Sequence, residues 1–157
     1  MFPMLMFALV LLTHPVGLFV ALTFSLLAGM AFTHSVGVVY KSQEGTIANT
    51  TDSFVGNAEE GLDVAVPAST TDQVEALAIT VANIVSVCLF SAVALTVKTY
   101  AAGVLKQTIA LPAGKQLTWN NASSFANPFT NDFDTMKVTN ADLTKATTFK
   151  ARFLLSD

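Results

Sequence analysis

From residue 62 onward the chain alternates. Leu62, Val64 and Val66 fall on one side of an extended backbone, Asp63 and Ala65 on the other, and the run stops at Pro67. Successive strand side chains point to opposite faces, so this spacing predicts a strand with one solvated side. Val93, Leu95 and Val97 alternate with Ala94, Thr96 and Lys98 in the same way, and Phe149, Ala151 and Phe153 with Lys150 and Arg152. Val74–Val81, Val85–Phe90, Leu105–Leu111, Lys115–Trp119 and Asp134–Thr139 add further short segments bounded by turn residues. Thr71–Phe90 is open to a second reading as one helix, with Thr71 and Asp72 as its caps. The β-branched Ile79, Val81, Ile84, Val85 and Val87, with a break at Asn83, favour two strands.

The turn residues set the connections. Pro112-Ala-Gly114 is hairpin chemistry between Leu105–Leu111 and Lys115–Trp119. Ser35–Tyr40 reads as a strand, Lys41–Gly45 as a turn, Thr46–Ala48 as a return, Asn49–Ser53 as a loop and Phe54-Val55 as a short strand. Asn120–Asn131, rich in Asn, Ser and Phe, reads as a long loop. Many short strands with turns at regular spacing predict an all-β domain over 33–157. The expected architecture is a two-layer antiparallel β-sandwich, jelly-roll or immunoglobulin-like. One cysteine, Cys88, leaves out the paired cysteines of true immunoglobulin domains.

Residues 1–32 are of another kind. The first 40 residues hold no Asp, Glu, Lys or Arg, and His14, Pro15 and Gly17 interrupt the apolar run. A helical apolar segment is expected. It fits a membrane anchor or signal cleaved after Ala31 (with membrane contact through 4–32), an arm buried in an assembly, or sequence upstream of a true start at Met30. No Lys or Arg precedes it, which is a poor match to an export signal.

Composition narrows the surface. Charged residues make up 12% of the chain, against about a quarter in ordinary soluble domains. A net charge of −3 without a basic run excludes a phosphate-tracking nucleic-acid surface. His14 and His34 stand apart from Cys88, so no zinc set is expected. No nucleophile–His–acid grouping is visible, so no catalytic residue and no cofactor is assigned. Asp132 and Asp134 form a weak calcium candidate, better read as turn caps. Trp119, Phe125, Phe129 and Phe133 fall in one Asn-rich stretch. They are either a ligand-binding face for carbohydrate or protein, or a loop whose rings plug the sandwich end.

The texture of Leu62–Pro67, Val93–Thr99, Pro112-Ala-Gly-Lys115, Leu117-Thr-Trp119 and Phe125-Ala-Asn-Pro-Phe129 resembles small β-sandwich virion proteins of phages, of the decoration, cement or minor-capsid type. That resemblance implies a non-enzymatic structural protein located in the virion, packing against copies of itself or a capsid lattice. The rival expectations are a secreted or membrane-tethered binding module and a filament subunit with an apolar N-terminal helix.

Overall fold

The structure, a computed structural model, describes residues 31–156. The helix expected over 1–32 therefore lies outside the described residues up to residue 30. Ten strands follow: β1 (Phe32–Ser42), β2 (Gly45–Gly56), β3 (Ala58–Val66), β4 (Thr70–Ile79), β5 (Ile84–Phe90), β6 (Leu95–Ala101), β7 (Val104–Leu111), β8 (Gln116–Asn120), β9 (Phe133–Asn140) and β10 (Thr147–Leu155). Thr71–Phe90 is two strands. β4 and β5 belong to different sheets, with a 3-10 turn at Val81–Asn83 between them.

Two four-stranded antiparallel sheets, ordered β3-β10-β5-β8 and β4-β9-β6-β7, pack face to face. Alternation puts Val66, Leu89, Phe149, Ala151 and Phe153 inward from the first sheet and Ile79, Leu95, Val97, Met136 and Val138 inward from the second. Burying each large side chain of this kind contributes about 1.5–3 kcal/mol. At one end Phe129, Phe133 and Phe153 cluster, with ring centroids 5.3 to 6.0 Å apart. At the other, buried Asn140 ties the turns together. Its Nδ2 donates to the Pro67 and Lys145 carbonyls, at 3.0 and 2.8 Å, and its Oδ1 accepts from Asp142 N–H at 3.0 Å.

Two expectations need correction. Leu105–Leu111 and Lys115–Trp119 are not a hairpin, because β7 pairs with β6 in one sheet and β8 with β5 in the other. Pro112-Ala-Gly114 does turn the chain, with Gly114 at φ +62° and its N–H on the Ser91 carbonyl at 2.9 Å. The turn carries the chain across the sandwich. The tight hairpin is instead β6–β7, where Ala102 and Gly103 both take positive φ (49° and 78°), the twist a two-residue loop requires. Secondly, Asn49–Ser53 is strand, and β2 runs unbroken to Gly56. Thr50, Thr51 and Asp52 pair with Val38, Gly37 and Val36 of β1, so ladder pairing overrides local loop preference.

β1 and β2 form a separate two-stranded sheet. Its base rests on the outer side of β3-β10-β5-β8, where Phe32, Val36 and Phe54 pack against Val85 and Leu154. Gly56 is needed there. A Cβ would collide with the Leu155 carbonyl and lie 2.8 Å from Leu154 Cγ. Beyond the base the hairpin leaves the body. Val38 and Val39 are neighbours pointing to opposite faces, yet they are 53% and 57% exposed. Asn49–Ser53 are exposed throughout. Both faces of this part meet solvent.

Candidate functional site

Polar groups fasten the hairpin base. His34 lies 2.8 Å through Nδ1 from Ser86 Oγ on β5, and its Nε2 is 3.4 Å from Glu59 Oε2 on β3. Glu59 Oε1 is 3.8 Å from Arg152 Nε on β10. The Arg152 guanidinium also bonds Asp63 and donates to the Leu62 carbonyl at 2.9 Å. Its hydrogen bond holds the Asp63 carboxyl below the ordinary carboxylate pKa.

No nucleophile–His–acid grouping is visible along the sequence, but the fold brings Ser86, His34 and Glu59 into one. It was invisible because Ser86 is 52 residues from His34, and only the fold-back of β1 over the sheet joins them. Its geometry suits fastening better than catalysis. Ser86 is 2% exposed on a strand paired on both sides, so its backbone is committed to the ladders and offers no oxyanion donor. Glu59 divides its charge between His34 and Arg152.

Beside the latch runs a groove of about 450 Å³. Thr33–Gly37 of β1 form one wall; Ser86, Val87, Cys88, Gln116 and Thr118 form the floor, with Arg152 close by. No β2 residue lines it, so it opens along the edge of β1 that has no partner strand. Burial pushes the Cys88 thiol up in pKa, away from the reactive thiolate.

The four aromatics singled out in the sequence separate. Phe129 and Phe133 are core residues, 1% and 3% exposed. Trp119 is partly buried and donates Nε1–H to the Phe125 carbonyl at 2.9 Å, so its polar handle is taken within the loop. Phe125 alone stands out, 81% exposed. The loop is fixed by Gln107, which binds the Pro128 carbonyl and the Thr130 N–H, and by Asn127 Oδ1, which accepts from Phe129 N–H at 2.9 Å.

Asp132 and Asp134 act apart. Asp132 Oδ1 accepts from Val81 N–H at 2.7 Å. Asp134 accepts from Ala102 N–H and Thr135 Oγ1–H, each at 2.8 Å, and the Ala102 bond leads in lowering its pKa. Among the described residues no group of three or more His, Cys, Asp or Glu is placed to hold a metal ion. None of their helices is long and apolar enough to cross a membrane.

The outer face of β4-β9-β6-β7 is muted in charge. Lys98 Nζ sits 2.9 Å from Asp72 Oδ1; their bond lowers the Asp72 pKa and raises that of Lys98. Lys137 Nζ lies 4.4 Å above the Tyr100 ring. Around them stand the hydroxyls of Thr96, Thr108, Thr135 and Thr139, which cost less to desolvate than charges. No family model, curated protein or solved structure matches the chain.

Proposed function

We propose that this protein is a non-enzymatic structural subunit of a viral particle or similar assembly, packing against copies of itself or a capsid lattice. The observation that carries this reading is the hairpin whose outer part is solvated on both faces. A two-stranded hairpin is marginal alone in water, and Val38 and Val39 gain nothing from exposure. Such an arm makes physical sense when another subunit covers it.

The sandwich is of jelly-roll type in this reading. Strand order supports it: from β3 to β10 every connection crosses between sheets except the β6–β7 hairpin. Jelly rolls serve as capsid and lectin domains. The resemblance to phage decoration, cement and minor-capsid proteins points the same way, and so does the muted outer face of β4-β9-β6-β7.

Light scattering on the full-length chain across a concentration series tests the proposal. Discrete oligomers whose population grows with concentration are expected; a monomer throughout contradicts it. The exposed Phe125 beside Trp119 favours a second reading, a carbohydrate- or protein-binding module. Glycan-array binding that disappears with Phe125→Ala is its signature.

A further inference from the structure

We propose that the free edge of β1 is a dimerisation seam, on which β1 of a second copy adds antiparallel about a two-fold axis near Gly37. The inference rests on the assembly reading above and names its contact.

Comparison of the edge strands identifies the seam. Exposed edges invite pairing, and proteins blunt them with charge, proline or short length. β3 carries Glu59, Glu60 and Asp63; β4 carries Asp72 and Glu75; β7 carries Lys106; β8 is 5 residues long; β2 carries Asp52. β1 has neither charge nor proline from Phe32 to Tyr40, and its one irregularity in pairing falls at Tyr40/Lys41, near the tip. Among the described edge strands it has the longest run without Asp, Glu, Lys or Arg, because its one such charge, Lys41, lies near the tip.

The groove argues for a strand as occupant and sets the register. Its wall is the unpaired edge over Thr33–Gly37, which offers backbone donors and acceptors to an extended chain. The free-standing stretch beyond Gly37 is long enough to fill the same length on another molecule. A two-fold at Gly37 does both at once. It sets Val38 of the second copy opposite Val36, on the face toward the floor that holds Cys88 and Thr118, and Val39 opposite Ser35 on the other face. Lys41, the first charge on the strand, falls opposite Thr33, so no like charges meet. The product is a four-stranded sheet across two copies. Its contact is isologous and therefore closes, and its remaining edges are the β2 strands with their Asp52.

The test uses full-length protein. Gly37→Cys, in a Cys88→Ser background, is permitted by space, because the nearest neighbour of the new Cβ is Thr51 Oγ1 at 3.6 Å. Mild oxidation is expected to double its mass on a non-reducing gel, while Thr108→Cys on the β7 edge stays uncrosslinked. Val38→Lys, at a position 53% exposed and outside both buried clusters, is expected to halve the molar mass in solution with an unchanged circular dichroism spectrum. An oligomer that fails to crosslink through position 37, or that survives Val38→Lys, overturns the seam and leaves the assembly reading standing. A wild-type chain that stays monomeric overturns both.

Discussion

In β10, Phe149, Ala151 and Phe153 are sealed between two sheets; in the outer half of β1, Val38 and Val39 stand in water. Both stretches pair regularly with a neighbouring strand, so hydrogen bonding does not separate them. Packing does. The sandwich is stabilised by side chains from two layers filling one interior, whereas the hairpin is held to it at the base by Phe32, Val36, Phe54, the His34–Ser86 contact and the close approach at Gly56. One region is built for folding and the other is free for contact.

Substitutions separate the two regions, and their expected effects on stability descend from the core outward. Phe153→Ala, which removes the ring packed on Phe129 and Phe133, is expected to cost about 3–5 kcal/mol in urea unfolding. Gly56→Val forces a side chain onto Leu154 and the Leu155 carbonyl. It should cost about 1–3 kcal/mol and raise hydrogen exchange across β1 and β2 ahead of β10. His34→Ala leaves buried Ser86 without its side-chain partner, for a loss of about 1 kcal/mol and a looser hairpin base in the same exchange measurement.

Acid acts on the sandwich more gently. Asp63, Asp72, Asp134 and Asp142 all have folded pKa values below the ordinary 3.8. Their contribution is therefore complete above 3.8 and disappears as pH falls through the lower folded values. A melting temperature followed from pH 7 downward should be flat until that window and then drop. Asp142→Asn, which weakens the bonds from Thr144 and Lys145 N–H, should soften the drop. Smallest on this scale is Val38→Lys, expected within about 0.5 kcal/mol of wild type in unfolding while self-association is lost.

The sequence made some of this legible and hid the rest for identifiable reasons. Strands with one apolar face, such as Leu62–Val66 and Thr147–Leu155, announce themselves by period. Partner choice does not follow from period: Pro112-Ala-Gly114 marks a turn, but nothing local says that the next strand joins the other sheet. Phe125 and Phe129 sit in the same polar loop, and only the fold buries one and exposes the other. His34 looked remote from the sandwich because its contacts with Ser86 and Glu59 depend on the hairpin lying back over β5 and β3. The low charge content did register in the sequence, and the paired Lys98 and Asp72 carry it into three dimensions.

Hydrogen exchange on the full-length chain at low and high protein concentration tests most directly whether the arm exists to be covered. Protection over residues 33–41 that rises with concentration, while β5, β9 and β10 hold constant, is the predicted result. Exchange in that stretch that is fast and indifferent to concentration would contradict the account.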